Sequence, residues 1–143
     1  MLLRQVLLPL AAIVTPNRLE AEVLAGCPVR TSDDAREAAR RIVDAGCRAV
    51  VIKGGHFGGA RLTNLLFDGR DFTEIVTERV DTRNTHGTGC TFAASLAAQL
   101  ARGRSLPDAV QDATAYVAGA IAHAAPIGHG HGPVEHFWRG RGL

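Results

Sequence analysis

Residues 49–53, Ala49-Val50-Val51-Ile52-Lys53, form a short apolar run without polar alternation, directly after a segment whose apolar residues recur at helical spacing. A run of this kind reads as a strand covered on both faces, and a helix leading into it makes a βαβ-type unit with a parallel sheet. The helix carries its own boundaries. Thr31-Ser32-Asp33-Asp34 is a capping-box-like start, Ala35, Ala38, Ala39, Ile42 and Val43 mark one face, and Gly46 closes it. Residues 10–14 are a second continuous apolar run, read as the end of a buried strand and broken by Thr15-Pro16-Asn17. A short helix over 19–25, stopped by Gly26, lies between the two runs.

Farther on, residues 62–67 and 72–80 flank Asp68-Gly69-Arg70-Asp71 and read as a hairpin that extends the sheet antiparallel. Residues 90–101 are apolar almost all round, which predicts a helix buried deep in the domain. Ser105-Leu106-Pro107-Asp108 starts a last helix, with Leu106, Val110, Ala113, Val117, Ala120 and Ile121 on one face. The tail, 127–143, is Gly- and His-rich and irregular. With no internal repeat or linker, the expectation is one α/β domain over 1–143.

A net charge of +2 with 21% charged residues describes a globular chain and gives no reason to expect a nucleic-acid partner. Cys27, Cys47 and Cys90 are odd in number and lack a C-x-x-C pair, so neither a disulfide framework nor a cysteine zinc site is expected, and a reducing cytoplasm fits best. The apolar start, interrupted by Pro9, has no small-residue cleavage pattern and is too short to span a membrane.

The strongest chemical signal is Gly87-Thr88-Gly89-Cys90 at the start of the apolar helix. Glycines let the backbone turn tightly and approach a ligand, while the helix start presents unpaired N–H groups and the positive end of its dipole to an anion. A tight turn alone would look the same. Asn17 and Glu20 stand at a strand-to-helix junction, where N-x-x-E is either a capped helix start or a pair of hard oxygen donors for magnesium. Lys53 ends an apolar strand, a position that in open α/β sheets faces the ligand crevice or simply reaches solvent. His129, His131 and His136 fall within eight positions, a spacing that invites a metal reading.

Asn84-Thr85-His86-Gly87-Thr88-Gly89-Cys90 resembles the corresponding motif of the hydroxymethylpyrimidine/phosphomethylpyrimidine kinases of thiamine biosynthesis, a branch of the ribokinase-like superfamily. Val14-Thr15-Pro16-Asn17 with Glu20, Val51-Ile52-Lys53-Gly54-Gly55-His56, Asp68-Gly69 and Gly128-His129-Gly130-His131-Gly132-Pro133 with His136-Phe137 occur in that family's order. The resemblance covers nearly the whole chain but only the C-terminal half of the family's domain, and implies a ribokinase-like fold, mostly parallel sheet flanked by helices, truncated at its N-terminus. It implies ATP and Mg2+ as cofactors and a 4-amino-5-hydroxymethyl-2-methylpyrimidine or its monophosphate as acceptor. Pyridoxal or pyridoxine kinase is the nearest alternative, and an inactive fragment keeping only the nucleotide-binding half is another.

By the same resemblance Cys90 is the catalytic base, Gly87, Thr88 and Gly89 with Thr85 and Lys53 form the anion hole and ATP contacts, and Asn17 and Glu20 hold Mg2+ through water. Gly54, Gly55 and His56 shape the nucleotide side. A cysteine at a helix N-terminus suits the base role, because that position favours the thiolate. The histidines belong to a C-terminal loop near the active site rather than to zinc. The full-length enzyme is expected to be a homodimer. Arg18-Leu19, Asn64 and Glu135 depart from the family's usual pattern.

Overall fold

The structure, a computed structural model, describes residues 2–54 and 61–140. Its backbone separates into two compact units, Met1–Val76 and Thr77–Leu143.

In the first unit, Asn17 caps α1 (Arg18–Ala25), which ends where Gly26 takes a left-handed φ of 68°. Thr31 and Asp34 form a reciprocal capping box at the start of α2 (Ser32–Asp44). Both helices are built as the sequence dictates, with side chains supplying partners for the N–H groups that a first helical turn leaves open. The fully buried β1 (Val50–Ile52) follows. Residues 11–17 run beside it in parallel, with the Val14 N–H donating to Ala49 O at 3.1 Å, Val51 N–H to Val14 O at 2.9 Å and Lys53 N–H to Pro16 O at 2.8 Å.

On its other side β1 pairs antiparallel with β2 (Arg61–Phe67), Val50 opposite Phe67, and β3 (Phe72–Glu78) completes the order β1-β2-β3. The connecting turn is held by Asp68, whose Oδ1 accepts from the N–H groups of Arg70 and Asp71 at 2.8 Å each. The hairpin therefore adds antiparallel strands as expected, and among the described residues of this unit the parallel pairing consists of the bridges Val14–Val50 and Asn17–Lys53.

The core of this unit joins Ala21 and Ala25 of α1 to Ala35, Ala38, Ala39 and Ile42 of α2 and to Val50, Ile52, Leu65 and Phe67 of the sheet. Alanines on both helices allow close approach, while Ile42 and Ile52, fully buried, each contribute roughly 1.5–3 kcal/mol. Phe72 stacks on Phe67 at 4.3 Å, and the guanidinium groups of Arg36 and Arg40 lie over its ring at 4.9 and 5.1 Å.

The strand expected over residues 10–14 departs from expectation. Residues 3–10 wind into two short helical turns, Leu3–Leu7 and Leu8–Leu10, and of the expected strand only the bridge at Val14 forms. Pro9 accounts for part of this, since its fixed φ suits a first helical turn and it has no N–H to give a sheet. Nor is the apolar stretch covered throughout: Leu8 is buried, while Leu7 and Leu10 are 55% and 79% exposed. Pro9 itself packs on Gly46, where a Cβ would come within 3.0 Å of it and where φ is 122°.

The second unit is a helical pair. α3 (Thr88–Ala101) and α4 (Leu106–Ala122) pack on each other. Ser105 caps α4 by accepting from the Asp108 N–H. The expected face of α4 is buried at Val110, Ala113, Val117 and Ala120. α3 corrects the sequence reading: Thr91, Phe92 and Leu96 are buried, while Ala93, Ala94, Ala97 and Ala98 are exposed. Composition showed an apolar helix, but one neighbouring helix covers a single stripe of it.

Candidate functional site

The turn that leads into α3 is shaped by its backbone. Thr85 O accepts from both the N–H and the hydroxyl of Thr88, at 3.3 and 2.5 Å. Gly87 then takes φ 85° as the N-cap and offers no side-chain cap. Its carbonyl points into the helix, where it accepts from the Thr91 N–H at 2.9 Å and the Thr91 hydroxyl at 2.8 Å. The helix's own hydrogen-bond ladder thus begins at Thr91, after the amides of Gly89 and Cys90. An end built in this way suits a phosphate-like anion, because the N–H groups and the dipole face the same way. Cys90 is exposed at that end. Thr85 and Gly89 are exposed too, and Gly87 and Thr88 half-buried.

The first unit brings Asn17, Glu20 and Lys53 together. Asn17 and Lys53 are partners across the parallel bridge. Asn17 Oδ1 accepts from the Glu20 N–H at 2.9 Å and Glu20 Oε2 accepts from the Asn17 N–H at 2.8 Å. The capped-helix reading of N-x-x-E is therefore realised in full. Glu20 keeps Oε1 outside the cap, and an exposed carboxylate oxygen beside a side-chain amide fits a magnesium ion bridged by water better than one ligated directly. Among the described residues no group of three or more His, Cys, Asp or Glu is placed to hold a metal.

Gly54 follows Lys53 with φ 60°, and its N–H donates to Asn64 Oδ1 at 3.1 Å. Asn64 ties β2 to the residue after Lys53, a link between positions ten apart that no local spacing announces. Gly55 and His56 lie outside the described residues. His129 and His136 are exposed, and His131 Nδ1 lies 3.3 Å from Arg83 O. Cys47 is excluded from chemistry by packing: burial pushes its thiol up, and its Sγ donates to Ile42 O.

In the sequence Asn84 only opens a motif, yet among the described residues it is one of three buried polar side chains. Its Nδ2 donates to Ala124 O at 3.2 Å, across forty positions. Beside it, His86 forms a parallel bridge with Pro133, in which the His86 N–H donates to Gly132 O at 3.0 Å and the Val134 N–H to His86 O at 3.3 Å.

Among proteins of known sequence, a thiamine biosynthesis bifunctional protein of Geobacter sulfurreducens is 47% identical over 135 residues, covering 94% of this chain and 28% of that protein. A hydroxymethylpyrimidine/phosphomethylpyrimidine kinase of Bacillus subtilis is 44% identical over 136 residues, covering 94% of this chain and 50% of the relative. Among solved structures, the pyridoxal kinase of Staphylococcus aureus in complex with AMP-PCP superposes with a TM-score of 0.91 at 38% identity, over 97% of this chain and 52% of that one. The phosphomethylpyrimidine kinase of Clostridium difficile gives 0.68 at 31%, over 83% and 47%. These likenesses show the ribokinase-like α/β fold. The chain spans about half the length of the curated single-function kinases it matches. The phosphomethylpyrimidine kinase family matches residues 1–135, and with this extent of agreement the chain belongs to that family.

Proposed function

We propose that the chain is the C-terminal half of a single kinase domain that transfers the terminal phosphoryl group of ATP to 4-amino-5-hydroxymethyl-2-methylpyrimidine and to its monophosphate, on the way to thiamine diphosphate. The observation that carries this reading is the Gly87 cap, a left-handed residue without a side-chain cap at the start of a long helix. Gly87, Thr88 and Gly89, with Thr85, receive the phosphates. Lys53 adds positive charge from its strand end. Cys90 accepts the proton of the attacking hydroxymethyl oxygen as that oxygen bonds to phosphorus and the bond to the ADP oxygen breaks. Asn17 and Glu20 would hold magnesium through water, and the ion, when bound, would supply charge neutralisation at the phosphates. A cytoplasmic homodimer is the form proposed for the full-length enzyme. Among the described residues no helix is long and apolar enough to cross a membrane.

The superposition on pyridoxal kinases, at TM-scores of 0.89 to 0.91, favours a second acceptor, a pyridoxal-type ring alcohol. The two share a phosphoryl-transfer chemistry and differ in the ring. Calorimetry with magnesium-ADP tests the nucleotide half, and a coupled kinase assay offered both alcohols, on this chain joined to the N-terminal half of a relative, tests the acceptor. Absence of magnesium-dependent ADP binding by folded protein overturns the assignment of the turn, and phosphorylation of pyridoxal alone overturns the pyrimidine reading.

A further inference from the structure

The C-terminal segment 132–139 runs as a strap from the Gly87 turn back along α4, and each of its attachments is specific. At the near end, Gly132 is buried against Asn84, where a Cβ would overlap the Asn84 carboxamide. Two backbone hydrogen bonds fasten Gly132 and Val134 to His86, the residue before the N-cap. In the middle, the Glu135 N–H donates to Ala120 O at 2.9 Å. At the far end, the Trp138 Nε1–H donates to Tyr116 O at 3.2 Å, the Tyr116 hydroxyl to His136 O at 2.6 Å, and the indole stacks on His123 at 5.2 Å. The indole sits in a notch made by Gly119, where any Cβ would overlap its ring.

α4 therefore holds the strap, and the strap holds His86. Asn84 adds a second tie from the turn to the end of α4, through Ala124 O. Gly87 has no side-chain cap, so beyond its own bonds to Thr91 the turn is supported from outside the helix by these neighbours. We propose that Asn84, Gly132 and the Trp138–Gly119 seat are positioning residues that fix the aim of the Gly89 and Cys90 amides. This rests on reading the turn as the phosphate site, although the strap itself is testable without a ligand.

Gly119→Ala separates the strap from simple stability, because the two accounts have opposite signs. In a helix interior alanine is favoured over glycine, so α4 by itself should gain. Unseating the indole should nevertheless loosen the turn. Trp138 is the only tryptophan, so its fluorescence reports the seat directly. The expected result in Gly119→Ala is red-shifted emission and amide exchange about tenfold faster at His86, Thr88 and Thr91, with the interior of α4 unchanged or slower. Gly132→Ala should speed the same amides from the other end of the strap, and Asn84→Ala, which removes the tie to Ala124 O, should speed them as well.

Unchanged exchange at His86 and Thr91 with the indole released, or an indole that stays seated in Gly119→Ala, overturns the proposal. ADP titration of the two glycine variants separates the two readings. A fall in affinity of about tenfold alongside a loosened turn supports both. A loosened turn with unaltered ADP binding leaves the strap standing and removes the nucleotide from the turn.

Discussion

Asn17 and Glu20 cap one another, side chain to backbone in both directions, at 2.9 and 2.8 Å. The motif thus has a structural duty that must be separated from any role at a metal. Glu20→Gln keeps an amide oxygen to accept from Asn17 and loses the charge. Glu20→Ala loses both. The expected outcome is a melting temperature near that of the parent for Glu20→Gln and a loss of about 0.5–2 kcal/mol for Glu20→Ala, with magnesium-dependent nucleotide binding weakened in both. Thermal melts paired with calorimetry at varied magnesium check it, and full magnesium dependence in Glu20→Gln would reduce Glu20 to a cap.

The second capping box gives a pH dependence with a defined sign. Backbone N–H groups of Arg30 and then Thr31 donate to Asp34 Oδ2, at 2.9 Å each, and hold its carboxyl below the usual aspartate range. A carboxyl depressed in the folded state stabilises it above the unfolded value, and the contribution is lost as pH falls through the folded value. Asp68 is depressed in the same direction by the N–H groups of Asp71 and Arg70. Asp34→Asn should therefore lower stability at neutral pH and flatten the acid limb of a stability-against-pH curve, the variant and parent converging as pH falls below the folded value. An acid limb identical to the parent's would show that Asp34 titrates alike in both states.

The capping box at Thr31, the glycine stops and the hairpin were legible because each is decided within a few residues, by hydrogen bonds between near neighbours. Gly26 and Thr31 needed no tertiary information. The burial of α3 was misread because an apolar helix is apolar whether or not anything covers it, and coverage depends on elements the local sequence does not describe. Likewise the Asn84 tie to Ala124 and the Gly54 tie to Asn64 join residues far apart in the chain, so no spacing points to them. The candidate turn was legible as a glycine-rich helix start, but what holds it in place was not.

The three thiols should separate by exposure. Cys90 is exposed, Cys27 half-buried and Cys47 buried. Alkylation followed by mass spectrometry should modify Cys90 first and reach Cys47 only on unfolding. Cys90→Ser should leave stability within about 0.5 kcal/mol, since it alters an exposed position. In a version of the protein that turns over, the same substitution should cost about a hundredfold or more in kcat with nucleotide affinity nearly unchanged. Parent-like turnover would make Cys90 a bystander at the helix start.

The chain's opening turns present Leu2, Leu3, Leu7 and Leu10 at 78%, 52%, 55% and 79% exposure, around a single buried leucine, Leu8. Exposed apolar side chains grouped on one segment favour association, because each one removed from water gains roughly 25 cal/mol per Å² buried. Residues 1–143 expressed alone should therefore self-associate, and Leu2→Lys, Leu7→Lys and Leu10→Glu together should raise the monomer fraction without lowering the melting temperature. Leu8→Ala should do the opposite, costing about 2–5 kcal/mol through the lost burial and the cavity left behind. Size-exclusion chromatography across concentrations, paired with thermal melts, separates the two effects. If the triple variant melts well below the parent, the three leucines are already packed in the isolated chain and the exposed surface lies elsewhere.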